Sequence, residues 1–395
     1  MIDSIFTAMS GLEGHQKGLK VISNNVANMN TAGFKATVVD FADVFTGAGS
    51  ERRESATGAG VEASRTRLDL RNGDRQDTGR ELDVALDGRG FLVLQDEQGR
   101  LRYTRAGGFA LNDAGQLVAS LNGLKVMGRD GEGRLAPIEL GALRKHAPKG
   151  TTKVVFKDLL SSSDDAHTID ALTVYDSTGG AHVLKLEFTK KQSPGTGTGG
   201  NNVEWVVKVF EGSKELGTGL FGFIGSVASP FASSFKLNLA YTNAPAAEVE
   251  FSLGSAARGD LGSTESRLQL QEQDGYAPGD VASVGFDEKG QLAIGYSNGQ
   301  KATGATLALA EFASDEHVMA VGDGLLASRE GVQPTFRAAG TDLKVLSKKL
   351  ELSNVNLTQE FSTLILMQRG YQASSQVLTT ANEMLQQLFE LKGRR

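Results

Sequence analysis

Apolar residues recur at three- and four-residue steps at both ends of the chain. Ile2, Ile5, Met9, Leu12, Leu19, Ile22 and Val26 keep that spacing at the N-terminus, interrupted at Gln16 and Ser23. Leu357, Phe361, Leu364, Tyr371, Leu378, Leu385 and Phe389 keep it at the C-terminus, with Gln368, Ser375 and Asn382 in the polar gaps. A turn of 3.6 residues gathers such positions on one face, so each end predicts an amphipathic helix. The stripes run about 36 Å over roughly 24 residues and about 50 Å over roughly 34. Stripes of this kind zip two helices together. A single terminal helix often docks on its own domain, but a matched pair enclosing a different kind of chain points to helix pairing between the two ends.

The N-terminal helix carries Gly11, Gly14 and Gly18. Each weakens a helix by about 1 kcal/mol relative to alanine. The helix is therefore predicted to be poorly formed in an isolated subunit and to order when neighbouring helices bury its stripe, with the glycines allowing close approach. Asn24, Asn25, Asn28 and Asn30 crowd its end, and Gly33 is placed to take the left-handed conformation that stops a helix.

Between the ends the signals are strand and turn. Asp83-Val84-Ala85-Leu86, Phe91-Leu92-Val93-Leu94 and Leu101-Arg102-Tyr103 are short runs bounded by glycine. One turn recurs, starting at Asp96, Asn112, Asp130 and Asp287, with glycine three residues on (Gly99, Gly115, Gly133, Gly290), then Arg or Gln, then Leu. That form suits a hairpin on a type I turn whose glycine takes positive φ. A calcium loop needs six or more oxygen ligands, and these turns offer one or two carboxylates each.

The fourth copy stands far from the other three, which predicts one β-domain interrupted by an insertion. The expected organisation is α+β and multidomain: terminal helices from 1–33 and 351–395 forming a coiled-coil core layer, an extended connector over 34–70, an inner β-domain from 71–146 and 284–350, and an inserted β-domain over 147–283. The insertion carries strand runs at Lys153–Phe156, Ala171–Tyr175, Val183–Phe188 and Glu204–Phe210, with Ser193–Gly200 as a flexible exposed loop. The connector mixes Phe34, Phe41 and Phe45 with Gly47, Gly49, Gly58 and Gly60.

Composition narrows the function more than it suggests one. Lys and Arg number 41 against 47 Asp and Glu, a net charge of −6, and no basic stretch with interleaved aromatics marks a nucleic-acid partner. Cysteine is absent, which excludes a disulfide scaffold, a cysteine-ligated metal and a thiol nucleophile. Glycine, 49 of 395 residues, is well above the usual share of about 7%, as many tight turns require. No apolar run is long enough to span a membrane. The N-terminus lacks the basic–apolar–small order of a signal peptide, so any export is expected to use a route without a cleaved signal.

His15, His146, His167, His182 and His317 are scattered with no helical ligand spacing, Asp164-Asp165 reads as a solvated turn, and no nucleophile elbow or phosphate loop is present. No catalytic, metal or cofactor residue is assigned. A secreted β-rich adhesin or hydrolase with carboxylates from distant strands is the alternative of another class.

Three long motifs carry a resemblance. Met9-Ser10-Gly11-Leu12 and Leu19-Lys20-Val21-Ile22-Ser23-Asn24-Asn25-Val26-Ala27-Asn28-Met29-Asn30-Thr31-Ala32-Gly33-Phe34-Lys35 resemble the N-terminal signature of bacterial flagellar rod and hook proteins. Ser353-Asn354-Val355-Asn356-Leu357, Met367-Gln368-Arg369-Gly370-Tyr371-Gln372-Ala373 and Ala381-Asn382-Glu383-Met384-Leu385-Gln386 resemble its C-terminal counterpart. Leu82-Asp83-Val84-Ala85-Leu86-Asp87-Gly88-Arg89-Gly90-Phe91-Leu92-Val93 and Tyr103-Thr104-Arg105 look like the family's β-domain. The resemblance implies a structural, non-enzymatic subunit of the flagellar axial tube, exported and extracellular, polymerising with copies of itself through its terminal helices.

Expected partners are rod, hook cap and hook–filament junction proteins and the flagellar export apparatus, with no nucleic acid and no membrane insertion. The interface implied is Ile5, Met9, Leu12, Leu19, Ile22, Val26, Leu357, Phe361, Leu364, Tyr371, Leu378, Leu385 and Phe389. Within the family the large middle insertion fits a hook subunit that joins rod to filament and carries torque. The opening Met1-Ile2-Asp3-Ser4-Ile5-Phe6 is closer to a rod or other hook–basal-body axial protein.

Overall fold

A computed structural model describes residues 2–45, 58–191, 202–242, 244–260, 265–340 and 342–393. The expected loop at Ser193–Gly200, and Gly47 and Gly49 of the connector, lie outside the described residues. The chain divides into two compact units. The first comprises Met1–Gly141, Ser283–Ile294 and Ala302–Arg395; the second comprises Ala142–Ala282 with the short return Gly295–Lys301. The terminal helices fall in the same unit as the first β-rich region, so they do not stand as a compact unit of their own.

Two α-helices are present among the described residues, α1 (Ile2–Ala27) and α2 (Leu357–Gly393). Both are shorter than the segments expected to hold them. The turn after α1 is made by Asn28, whose amide Nδ2 donates to the Asn24 carbonyl at 2.9 Å. Gly33 does take positive φ, 69°, but six residues beyond the helix. Its conformation serves a close approach instead: a Cβ there would lie 2.3 Å from the Ala106 amide nitrogen. Asn356 caps α2, its Oδ1 accepting from the Gln359 amide at 3.2 Å.

The expected connector is a ribbon. β1 (Thr37–Phe45) and β2 (Gly58–Leu68) pair antiparallel from Thr37↔Leu68 to Phe45↔Gly58, with two register shifts. Extended backbone alone would leave its amides unpaired, and the hairpin pairs them. Further on, Phe91–Gln95 is hydrogen-bonded to Leu101–Thr104, Lys125–Arg129 and Leu309–Glu311, over a core that includes Phe91, Val93, Tyr103, Met127 and Phe312.

All four recurring turns lie in this unit, and their glycines have φ of 79°, 78°, 81° and 70°. In each, the glycine amide donates to the carbonyl of the leading Asp or Asn. The leading side chain also accepts a backbone amide four residues on, as Asp130 does from Arg134 at 2.9 Å. One oxygen of each leading side chain is thereby committed to its own turn.

The second unit is a two-sheet sandwich. One sheet orders Ala166–Tyr175, Ala181–Lys190, Asn202–Glu211, Lys214–Ile224 and Val227–Ala228; the other orders Ser234–Leu239, Ala247–Asp260, Lys153–Ser161 and Gln269–Gln273. Alternation does the work: Leu184, Leu186 and Phe188 point into the core while Lys185 and Glu187 point away and pair at 2.8 Å. Trp205, Phe156, Phe221 and Phe251 fill the interior.

Candidate assembly site

α1 and α2 lie antiparallel and close. A Cβ at Gly11 would sit 2.7 Å from Ser374 Oγ, one at Gly18 3.0 Å from Met367 Sδ, and one at Gly370 2.4 Å from the His15 ring. Asn25 Nδ2 donates to Glu360 Oε1 at 3.1 Å. These pairs set one register, and it runs out at the N-terminus of α1 near Met384, so the last turns of α2 extend past α1. The glycines that weaken α1 are thus the positions where its neighbours touch it. Gly14 faces Phe41 of the ribbon in the same way.

The buried face of α1 is Ala8, Gly11, Gly14, Gly18, Ile22 and Asn25, a stripe of mostly small residues. That departs from the apolar stripe read from the sequence. Of the expected interface residues on α1, only Ile22 is buried; Ile5, Leu12, Leu19 and Val26 are half-buried and Met9 is exposed. The side chain of Ile2 lies outside the described residues. On α2, Leu357, Leu364, Leu378 and Leu385 are half-buried, while Phe361, Tyr371 and Phe389 are exposed. The pairing therefore brings together part of the expected set and leaves the rest open to solvent.

Other apolar side chains join them there: Phe6 (62% exposed), Ile365, Leu366 (65%), Val377, Met384 and Leu388. No charged residue occurs from Gly370 to Asn382. A single-stripe reading missed these positions, although the sequence holds a signal for them. Ile365-Leu366, Val377-Leu378, Met384-Leu385 and Leu388-Phe389 are apolar doublets, and a helix with one partner needs only single apolar steps.

The base of the helix pair is tied to the β-strands by a buried polar joint. Glu351 Oε1 accepts from Lys35 Nζ at 2.6 Å and from the Gly73 amide at 2.9 Å, and its Oε2 accepts from Arg105 Nη1 at 3.1 Å. All three ionic side chains are almost fully removed from water. Lys35 Nζ also donates to the Arg71 carbonyl at 2.7 Å, Arg105 Nη2 to the Gly88 carbonyl at 2.7 Å, and the guanidinium lies 5.4 Å from the centre of the Phe91 ring. Burial pulls the Lys35 pKa below the usual lysine range although Glu351 opposes it, and burial lowers Arg105 likewise.

Beside this cluster, Asn354 Oδ1 accepts from the Ala36 amide at 2.8 Å and its Nδ2 donates to the Asp69 carbonyl at 2.7 Å. Asn25 spans α1, β1 and α2, donating to the Thr37 carbonyl at 2.9 Å as well as to Glu360. Burial raises the Glu360 pKa, against the Asn25 hydrogen bond that lowers it. The arrangement holds no reaction geometry; it fixes the exit of α1 and the start of α2 to one another and to the strands. Among the described residues no group of three or more His, Asp or Glu is arranged to hold a metal ion, and no helix is long and apolar enough to cross a membrane.

Comparison with known proteins matches three segments of the chain to flagellar families. Residues 5–35 match the family described as flagella basal body rod protein, residues 85–156 the flagellar hook protein FlgE/F/G D1 domain, and residues 346–391 the flagellar basal body rod FlgEFG protein C-terminal. Over its length the chain is similar to the flagellar hook protein FlgE of Escherichia coli (strain K12), 30% identical over 416 residues that cover 98% of this chain and 99% of that one. The Salmonella typhimurium (strain LT2) FlgE is 30% identical over 425 residues, covering 98% and 100%. That of Borreliella burgdorferi is 29% identical over 454 residues, covering both chains fully. Among solved structures, the Helicobacter pylori flagellar hook protein FlgE2 aligns with a TM-score of 0.48 at 14% identity, covering 70% of this chain and 100% of that one.

Proposed function

The chain belongs to the flagellar hook protein family and is a hook subunit of the bacterial flagellum, and from that premise we propose that it polymerises through the open faces of its paired terminal helices into a helical tube. In this reading α1 and α2 form the coiled-coil core layer of the tube, and the subunit has a structural role and no catalytic one. The tube joins rod to filament and passes motor torque along its length. Its partners are neighbouring copies, the rod, hook cap and hook–filament junction proteins, and the export apparatus that delivers the subunit outside the cell.

The observation that carries the assembly reading is the uncovered apolar surface of α2. Leu366, Val377, Met384 and Leu388 stay exposed after α1 has packed, on a helix with no charge over 370–382. A heterologous contact that does not close on itself yields an open helix, which a tube requires. The expected interface is revised accordingly: Leu364, Leu378 and Leu385 serve the pairing within one subunit, and Phe361, Ile365, Leu366, Tyr371, Val377, Met384, Leu388 and Phe389 face neighbouring copies. The Lys35–Arg105–Glu351 joint supports torque transmission, because it locks both helices to the strands at one point.

Sedimentation and electron microscopy of the purified chain, beside Leu366→Asp and Leu388→Asp variants, test the proposal. A carboxylate placed in a dry inter-subunit contact costs several kcal/mol per subunit, and far less in the free monomer, where Leu366 is 65% and Leu388 46% exposed. Both variants should stay monomeric with a melting temperature close to that of the parent chain. Normal tubes from either variant would refute the assignment.

A further inference from the structure

His182 lies in the second unit, between two carboxylates. Its Nδ1 is 2.6 Å from Glu211 Oε1 and its Nε2 is 3.0 Å from Asp176 Oδ2. A neutral imidazole has one N–H and one lone pair, so it satisfies only one of these contacts. Both are made at once only by the doubly protonated ring. The ring also stacks on Tyr241, centroids 4.2 Å apart and 20° from parallel, which places a cation over an aromatic face.

The two carboxylates are not free to turn away. Asp176 Oδ1 is held by the Thr178 amide at 2.7 Å, the Thr178 hydroxyl at 2.6 Å and the Gly180 amide at 3.0 Å. Glu211 Oε2 is held by the Thr242 amide at 2.9 Å and the Thr242 hydroxyl at 2.8 Å. All three members of the chain Asp176–His182–Glu211 are largely buried.

We infer that His182 is a proton-dependent brace, its imidazolium pinning the 176–180 hairpin turn to the Glu211–Thr242 corner and releasing it when the ring loses its proton. On release, one carboxylate faces a ring lone pair at hydrogen-bond distance, and the proton goes to solvent. The titratable groups against the ring are Asp176 from the turn, Glu211 from strand 202–211, and Tyr241 from the segment after strand 234–239. Burial works against charging the imidazole, but the hydrogen bonds to Asp176 and Glu211 outweigh it and raise the His182 pKa. Asp176 is lowered by the Thr178 and His182 hydrogen bonds, and Glu211 by His182 and Thr242 against its burial. Burial, then the two carboxylates, push Tyr241 up to about 12, so it stays neutral while His182 titrates.

The sign of the effect follows from linkage. A raised histidine contributes stability that is complete below its unfolded pKa of about 6.5 and is lost as pH rises through the folded value. The lowered carboxylates contribute stability that is lost as pH falls through their own folded values. The brace is therefore strongest in a mildly acidic window and opens toward alkaline pH. A hook is exposed to the medium, so the pH that sets this brace is the external one.

The test is a set of thermal melts of the full chain from pH 5.5 to 9.5, wild type beside His182→Gln, with the imidazole nitrogen resonances of His182 followed by NMR over the same range. The melting advantage of wild type over the variant should be largest near pH 6 and shrink steadily toward pH 9. A constant difference across the range overturns the inference. Should the variant fail to fold, the resonances decide on wild type alone: two ring N–H groups with a titration midpoint above 6.5 support the brace, and a single N–H at pH 6.5 removes it.

Discussion

Glu351→Gln is the sharpest perturbation of the joint, because it removes one charge and almost no volume. The carboxylate takes three donors, Lys35 Nζ, the Gly73 amide and Arg105 Nη1. A glutamine keeps one acceptor oxygen and turns an NH2 group toward a donor, leaving two buried cations without their shared carboxylate, Lys35 with only the weaker field of Asp69. Breaking a buried pair by removing one partner costs about 3–5 kcal/mol. Lys35 can limit its share by deprotonating, at a ceiling of about 4.6 kcal/mol for a lysine neutralised at pH 7. Arg105 has no such escape and must rely on the Gly88 carbonyl and the Phe91 ring.

The variant should therefore lose about 4 kcal/mol, a drop of about 10 °C in melting temperature for a unit of this size. Lys35→Met leaves the Arg105 pair and the Gly73 amide in place and should cost clearly less. The double variant should cost less than the two singles added together, with a coupling of about 1–3 kcal/mol. The assay is urea and thermal unfolding of monomer for the four proteins of the cycle. A loss below about 1 kcal/mol for Glu351→Gln, or strict additivity, would refute the claim that the cluster is a coupled buried joint.

Three further outcomes follow from the same geometry. Gly11→Ala and Gly370→Ala should differ in sign on monomer melting: each gains about 1 kcal/mol of helix propensity, but the new Cβ meets only a rotatable Ser374 hydroxyl in the first case and the His15 ring, itself against Met367 and Phe41, in the second. Leu364→Asp should lower the melting temperature of the monomer as well as block polymer, unlike Leu366→Asp, because Leu364 is half-buried in the helix pair; equal melts for the two variants would count against the division of faces. Glu360→Gln should remove a loss of stability that wild type suffers as pH rises through the raised pKa of Glu360, so the two proteins should melt alike in acid and diverge at neutral pH with the variant ahead.

Much of the fold was legible because its signals are local. A glycine three residues after an Asp or Asn fixed four hairpin turns, since only that φ lets the chain reverse there. The same turn at Asp176-Ser177-Thr178-Gly179 lacks the full signature, because Gly180 and Ala181 follow where Arg or Gln and Leu stand in the other copies. Strand Lys214–Ile224 was not read as a strand because Gly217, Gly219 and Gly222 interrupt it. The reason for Gly219 lies in tertiary structure, where the Phe235 ring occupies the space a side chain would need. Ribbon pairing of β1 with β2 was hidden for a similar reason: paired residues from Phe45↔Gly58 out to Thr37↔Leu68 leave no period in the sequence.

The helix stripes located both terminal helices but not the partners of their faces. A periodic pattern shows that a face is apolar, but not which neighbour covers it. In α1 Gly11 and Gly18 lie where α2 packs close, though glycine carries no hydrophobic signal at all, and in α2 the apolar surface extends beyond what α1 covers. The long motifs held information that periodicity lacked. Lys35 closes the N-terminal motif, Arg105 ends the β-domain motif, and Asn354 stands at the head of the C-terminal one, which opens at Ser353, two residues after Glu351. In the structure Lys35 and Arg105 meet Glu351 at one buried point with Asn354 beside it. Lys35, Arg105 and Asn354 stand some 70 to 320 positions apart, with no local reason to fall in three motifs of one family. Their shared reason is the joint: it sets where two helices leave the strands, and a tube that carries torque depends on that exit being the same in every subunit.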